Sequence, residues 1–279
     1  MEIVYTQTSL LEKITALRKK SLQIGFVPTM GALHKGHVQL LKSARSENDI
    51  VICSIFINPV QFNNTADLER YPRNPEEDIA LANSYCDILF MPSVEEIYPN
   101  PPKEQYHFGL LESTMEGYYR QGHFNGVAII VKRLFDIIQP DIAYFGKKDF
   151  QQLAIIKKLV QDYNLKITIQ AIDTVREEDG LAMSSRNKLL SPHARSVAPF
   201  VWKTLLKAQI LKKEKNPSQI SEWIQEQFKN HQEFKLEYAQ LVNAETLEEV
   251  TEYNQAESIV ACIAVWLDNV RLIDNITIV

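Results

Sequence analysis

The rhythm of the first 175 residues limits the fold more than any other feature of the chain. Short apolar runs rich in β-branched residues, Ile24–Thr29 and Ile50–Ile57, alternate with windows of helical spacing, such as Val38, Leu40, Leu41 and Ala44 between about Gly36 and Ser46. Such runs read as strands buried on both faces, since a half-solvated strand would alternate apolar and polar side chains. Further strands are expected at Ile88–Met91, Ile142–Phe145 and Ile167–Ile172, making five. Asn74-Pro75-Glu76-Glu77 reads as an N-cap, a first-turn proline and a capping-box glutamate, opening a helix to about Tyr85. Val127, Ile130, Val131, Leu134 and Ile138 mark one apolar helix face that ends at Gln139-Pro140, and Phe150–Tyr163 is the next helix. Strand–helix alternation with right-handed crossovers implies an α/β fold, a parallel sheet with helices on both faces. Ligands in such folds bind beyond the carboxyl ends of the strands.

Past about Arg176 the pattern changes. Two helical windows, roughly 192–213 and 217–229, precede strands at Leu236–Val242, Ser258–Leu267 and Val270–Ile273, which suggests a smaller C-terminal α+β domain over 176–279. Pro99-Asn100-Pro101-Pro102 reads as a stiff loop. A chain of 279 residues has room for two such domains, and 45% hydrophobic with 23% charged residues excludes disordered and coiled-coil classes. Thirty Lys and Arg against 35 Asp and Glu leave a net charge of −5, which argues against a basic nucleic-acid-binding face. Cys53, Cys86 and Cys262 are far apart and lack metal-ligand spacing, so neither a disulfide framework nor a zinc site is indicated. The N-terminus lacks the order of a signal peptide, and no apolar run approaches the ~18 residues of a membrane span, so the expectation is a soluble cytoplasmic protein.

The sharpest chemical signal is Pro28-Thr29-Met30-Gly31-Ala32-Leu33-His34-Lys35-Gly36-His37, where the first of these strands turns into a helix. With this chain's six His and nine Gly, an H-x-G-H match arises by chance roughly 0.004 times. A lone histidine is most often a core or surface residue; a pair at the strand–helix turn of an α/β fold points to a ligand. A helix N-terminus offers unpaired N–H groups and about half a positive charge to an anion, Gly31 and Gly36 allow close backbone approach, and two imidazoles add donors. No carboxylate lies in the loop to complete a metal site.

Three other segments carry candidate site residues, two of them directly after strands. Asn58 and Gln61, in Phe56–Phe62 (FINPVQF), follow the second strand; they serve either turn chemistry or a ligand that needs both a donor and an acceptor. Gly146-Lys147-Lys148-Asp149 follows the fourth strand and is either a solvated helix start with Asp149 as N-cap or a second phosphate turn. Met183-Ser184-Ser185-Arg186 stands at the border of the second domain, as a polar interdomain loop or as a grip for phosphates, for which a guanidinium fork is well suited.

The histidine loop resembles the HIGH signature of the nucleotidyltransferase superfamily. Together with FINPVQF, EGYYRQGHFNGV (Glu116–Val127), FGKKDFQQL (Phe145–Leu153) and MSSRN (Met183–Asn187), the chain resembles the pantothenate synthetase family from residue 26 to 187. That resemblance implies a Rossmann-like first domain over 1–175 and an ATP site of Met30, Gly31, Ala32, Leu33, His34, Lys35, Gly36, His37, Gly146, Lys147, Lys148, Asp149, Val175, Met183, Ser184, Ser185 and Arg186. It implies pantoate at Gln61 and Gln152 and β-alanine at Gln61, with Asn58 and Arg120 carried over more weakly. Tyr71 and Glu76, Glu77 and Asp78 read as structural, and His123 either as a site residue or as a helix cap. The implied partners are small molecules, pantoate, β-alanine and ATP, with Mg²⁺ on the phosphates and no nucleic acid or membrane; the assembly is a homodimer.

The absence of a GxSxG elbow, a Cys–His pair or a carboxylate pair in these motifs fits direct nucleotidyl transfer. The implied activity is an AMP-forming acid–amino-acid ligase: pantoate carboxylate attacks the α-phosphate of ATP, and β-alanine then displaces AMP. His37, His34, Lys148 and Arg186 are the expected catalytic groups, and the C-terminal domain the expected lid. Another small-molecule nucleotidyltransferase, or a non-catalytic nucleotide sensor, is the alternative.

Overall fold

The computed structural model describes residues 1–279. Its strands are β1 (Glu2–Val4), β2 (Ile24–Thr29), β3 (Ile50–Ile55), β4 (Ile88–Phe90), β5 (Ile142–Gly146), β6 (Thr168–Ile172), β7 (Phe234–Asn243), β8 (Ile259–Leu267) and β9 (Val270–Thr277). The α-helices are α1 (Gln7–Arg18), α2 (Lys35–Glu47), α3 (Thr65–Arg70), α4 (Pro75–Ala82), α5 (Val94–Ile97), α6 (Met115–Tyr119), α7 (His123–Ile138), α8 (Phe150–Asp162), α9 (Pro192–Val197), α10 (Phe200–Leu211) and α11 (Pro217–Lys229). Six strands, all parallel, form one sheet in the order β1-β4-β3-β2-β5-β6, and β7-β8-β9 form a separate antiparallel sheet.

Side-chain alternation explains why the parallel strands read as unbroken apolar runs. On one face Ile24, Phe26, Ile52, Ile88 and Phe90 pack with residues of α1, α7 and α8; on the other Val27, Val51, Cys53 and Leu89 pack with α2 and α4. Both faces of the central strands are covered, so apolar residues dominate there, and the buried exceptions, Thr29 and Ser54, stand at the carboxyl ends of β2 and β3. The chain runs outward from β2 through β3 to β4, then returns to lay β5 against the opposite edge of β2. The reversal leaves a crevice beyond the carboxyl ends of β2 and β5, the topological switch point where α/β sheets bind ligands.

The antiparallel sheet is wedged between two cores. Leu241, Ala261, Ile263 and Val265 join α10 and α11 in a C-terminal core, whereas Val242, Val260 and Cys262 pack into the core of the parallel sheet.

Several details depart from expectation. The parallel sheet has a sixth strand, β1, too short at three residues to carry a pattern of its own and held by its pairing with β4. The 192–213 window is two helices, interrupted at Ala198-Pro199, where the proline cannot supply an interior N–H. Asn74 does stand at the N-cap of α4, but its side chain makes no cap and donates instead to Glu77, 3.1 Å away.

Helix α7 crosses the Pro59–Gln61 turn so closely that only glycine fits at position 126. A Cβ there would lie 2.5 Å from the Val60 carbonyl oxygen and 2.6 Å from Gln61 Cα. Gly→Ala inside a helix ordinarily stabilises by about 1 kcal/mol. Gly126→Ala should instead destabilise by about 1–3 kcal/mol, because the clash is with backbone; urea denaturation with no loss of stability would contradict this packing.

Candidate active site

Two buried backbone donors set the histidine loop in place. The Asp78 carboxylate, on α4, accepts from Ala32 N–H at 2.9 Å and Leu33 N–H at 2.6 Å. Gly31 and Ala32 both have positive φ, 77° and 48°, and a Cβ on Gly31 would sit 2.9 Å from Asp78 Oδ2, so the turn needs glycine for conformation and for space. Asp78, expected to be structural, is the pillar of this loop.

The loop ends in a capping box made of imidazoles. His34 is the N-cap of α2, and its Nδ1 accepts from Gly36 N–H at 3.1 Å; His37 Nδ1 accepts from His34 N–H at 3.3 Å. The rings lie 4.1 Å apart between centroids. Because each Nδ1 accepts, each neutral ring carries its proton on Nε2, leaving a donor for a ligand. Burial, followed by the nearby Lys148 charge, lowers His34 to about 4; burial, then His34 and Lys148, lowers His37 to about 3. The pair therefore works as neutral donors at physiological pH.

A cavity of about 260 Å³ opens at this switch point. Its wall includes Met30, His34, Gly36 and His37 from the histidine loop, Asn58 and Gln61 after β3, Gly146, Lys148, Asp149 and Gln152 around the start of α8, and Val175 and Met183–Arg186 beyond β6. It shares Lys148, Ser184 and Arg186 with an outer cleft of about 900 Å³ between the C-terminal sheet and the loops and short helices around α3 and α6. Gly31, Ala32, Leu33, Lys35 and Lys147 do not line the cavity. Lys35 is exposed on the first turn of α2, and exposed Lys147 pairs with Asp173 at 2.6 Å.

Asn58 is 1% exposed and its amide is saturated. Nδ2 donates to Gln61 Oε1 and to the Gly126 carbonyl, both at 3.0 Å, while Oδ1 accepts from Tyr98 Oη at 2.8 Å and from Val60 N–H at 3.3 Å. It orients Gln61 and has no donor left over. A second line reaches the same residue: Arg120 donates to His123 Nε2 at 3.0 Å, and His123 Nδ1–H donates to the Gln61 carbonyl at 2.8 Å. His123 is thus not a helix cap. Burial, then Arg120, lowers it to about 3, which keeps the ring neutral.

The cations have distinct surroundings. Lys148 Nζ is 3.6 Å from Asp149, which occupies the N-cap position of α8 without capping it. Arg186 reaches Asp67 at 3.0 Å and lies over the Tyr71 ring, while Ser184 Oγ accepts from Arg186 N–H at 3.2 Å. Tyr71, read from sequence as structural, lines the cavity and has its hydroxyl 3.4 Å from Ser185 Oγ. No group of three His, Cys, Asp or Glu side chains converges as a metal cluster.

The neutral histidines make stability depend on pH with a definite sign. Their folded values lie below the unfolded value of about 6.5, so between about pH 6.5 and 4 the unfolded chain binds more protons and stability falls as pH falls. Urea midpoints should be level above about pH 7 and decline below about 6.5. His34→Gln combined with His37→Gln should flatten part of that slope, leaving the His123 share. A midpoint that rose on acidification from pH 7 to 5 would refute the assignment.

Known proteins share both the sequence and the fold described above. The family model for pantoate-β-alanine ligase matches residues 2–277. The chain is 44% identical to the pantothenate synthetase of Porphyromonas gingivalis over 277 residues, covering 99% of each. It is 46% identical to that of Cytophaga hutchinsonii, covering 94% of each. The crystal structure of pantothenate synthetase from Thermus thermophilus superposes with a TM-score of 0.93 at 39% identity and 99% coverage of both chains. That of the pantoate-β-alanine ligase from Francisella tularensis, complexed with β-γ ATP and β-alanine, gives 0.82 at 36% identity, covering 99% of this chain and 97% of the other. Matches of this extent, over both the parallel sheet and the C-terminal sheet, show that the chain belongs to the pantoate-β-alanine ligase family.

Proposed function

We propose that this cavity ligates pantoate to β-alanine in two steps, with ATP as the activating substrate. The observation that carries this reading is the meeting of two neutral Nε2–H donors, Lys148 and Arg186 in one cavity with Gln61 and Gln152. The ligands of the Francisella tularensis relative, β-γ ATP and β-alanine, support the choice of substrates.

In the first step a pantoate carboxylate oxygen attacks the α-phosphorus of ATP and the bond to pyrophosphate breaks. A carboxylate is already nucleophilic, so this step needs positioning and charge stabilisation rather than a general base. His34 and His37 donate to oxygens on which negative charge grows, and their lowered pKa values keep them from changing charge on the way. Lys148 and Arg186 balance the charge of the departing pyrophosphate; Arg186 would then share its fork between phosphate and Asp67. Mg²⁺ would enter as part of the ATP substrate and supply positive charge against the phosphates, and Asp149 is the carboxylate at the cavity wall that would help hold it.

In the second step the β-alanine ammonium releases one proton, its nitrogen attacks the activated acyl carbon, and the acyl C–O bond to AMP breaks as the nitrogen gives up a second proton to solvent. Gln61 holds pantoate and meets β-alanine, and its amide is oriented for that by Asn58. Residues 176–279 are proposed to close the cleft as a lid, which would protect the adenylate from water. A cytoplasmic homodimer is proposed from the family resemblance, and sedimentation of the purified protein would test the dimer.

Pantoate-dependent ATP–pyrophosphate exchange tests the assignments directly. His37→Ala and Lys148→Ala should each lower exchange on the order of 10²-fold or more with the fold intact. Near wild-type exchange in either would remove that residue from the mechanism. Gln61→Ala should raise the KM for pantoate far more than that for ATP; equal loss for both would make its role structural. If wild-type exchange occurs but AMP formation is independent of β-alanine, the chain is a simple nucleotidyltransferase.

A further inference from the structure

We infer that Asp274 and Asn275, neighbours on β9, form a clip that holds the lysine turn and the Arg186 loop at a fixed spacing, making both of them positioning residues for ATP. The inference deepens the function proposed above and rests on its placing of ATP between these two loops.

Asn275 grips the lysine turn. Its Nδ2 donates at 3.0 Å to the Lys147 carbonyl and at 3.0 Å to the Lys148 carbonyl, so both amide hydrogens are used on successive peptide groups. These peptides immediately precede α8, and their orientation determines where Lys148 leaves the backbone.

Asp274 grips the other loop through Arg176. Its carboxylate accepts from both terminal nitrogens of Arg176, at 2.7 and 2.9 Å, and the Arg176 guanidinium lies 3.3 Å from the centre of the Trp202 ring. Arg176 also donates to the Gly180 carbonyl at 3.2 Å. Arg176 and Ala182 form an antiparallel bridge, and Met183 N–H donates to the Val175 carbonyl at 2.9 Å, so this short hairpin delivers the chain straight to Ser184–Arg186. The two halves of the clip are themselves joined, since Asp274 Oδ1 accepts from Asn275 N–H at 2.8 Å.

Packing alone does not call for these residues. On β9, Val270, Leu272 and Ile276 face the C-terminal core, and Asp274 occupies the same alternating face at 4% exposure. A buried ion pair is no more stabilising than apolar residues of similar volume, so a carboxylate at a core-facing strand position needs another reason to be there. Holding two phosphate-gripping loops in register supplies one, because a displacement of about 1 Å in such groups can cost about 10²-fold in rate.

The test compares Asn275→Ala with the nearly isosteric Asn275→Asp, which fills the same space but cannot donate. ATP affinity is measured by calorimetry without pantoate, and the KM values by pyrophosphate exchange. Both variants should weaken ATP on the order of tenfold, which corresponds to about 1.4 kcal/mol and is within reach of two lost hydrogen bonds, while the KM for pantoate stays within about twofold. ATP affinity unchanged in both, near wild-type behaviour of the Asp variant, or parallel loss of ATP and pantoate would each overturn the clip. Should both variants melt far below wild type, Arg176→Lys tests the other half: weaker ATP with unchanged pantoate is expected, and equal loss for both refutes it. Wild-type protein that binds ATP yet gives no pantoate-dependent exchange would overturn the ligase chemistry, while ATP affinity of the variants would still decide the clip.

Discussion

The cavity depends first on one carboxylate that does not line it. Asp78 accepts the N–H groups of Ala32 and Leu33 within a buried turn, and the left-handed conformations of Gly31 and Ala32 persist because that carboxylate satisfies donors that would otherwise be orphaned. With the turn fixed, His34 falls at the N-cap of α2 and His37 one turn on, so each ring gives its Nδ1 to the backbone of the loop and keeps Nε2 for a ligand. The sequence of causes runs from a core contact, to a backbone shape, to a tautomer, to the donors available for chemistry.

Around that turn the protein separates two electrostatic tasks. The histidines are held neutral by burial and by the nearby cation, so they add directional hydrogen bonds without changing the net charge of the site. Charge is supplied by Lys148 and Arg186, and each has a carboxylate within reach, Asp149 and Asp67 respectively. An overall charge of −5 is thus compatible with a local site for a polyanion, because the cations are gathered at one crevice while the acidic surplus is spread elsewhere.

What could be read from the sequence followed physical locality. The apolar runs of β2 to β6 and the H-x-G-H turn were legible because their signal lies within a few consecutive residues, and the recognised motifs map onto one cavity. β1 was not, since three residues owe their conformation to a partner 86 positions away in the register Glu2 to Ile88. Lys35 and Lys147 belong to contiguous motifs, yet the turn that carries each sends its side chain outward. Asp78, Tyr71 and Asn275 act through contacts far along the chain, and nothing in their immediate neighbours announces them. The Asp78 signal was present only as an acidic helix start, which generic helix electrostatics explains equally well.

The same reasoning bears on how the C-terminal sheet meets the first. Glu116 on α6 is 6% exposed and is gripped by both terminal nitrogens of Arg271 on β9, at 2.6 and 2.7 Å, with Tyr238 Oη donating at 2.7 Å. Burial alone would raise the Glu116 carboxyl; Arg271, with Arg120 and Tyr238, outweighs it and holds the group below its ordinary value. Truncating Arg271 with the sheet in place would leave the Glu116 charge buried without its main partner, at a cost of about 3–5 kcal/mol, a large share of the stability of an ordinary domain. Val242, Val260 and Cys262 add apolar burial along the same seam. The sheet is therefore anchored to α6 along that side, and β9 forms a wall of the cavity. Closure of the cleft, as proposed for residues 176–279, has to pivot about this seam rather than open it, carrying β9 and the Arg186 loop together, while Asp67 and Arg186 pair on the wall of the outer cleft.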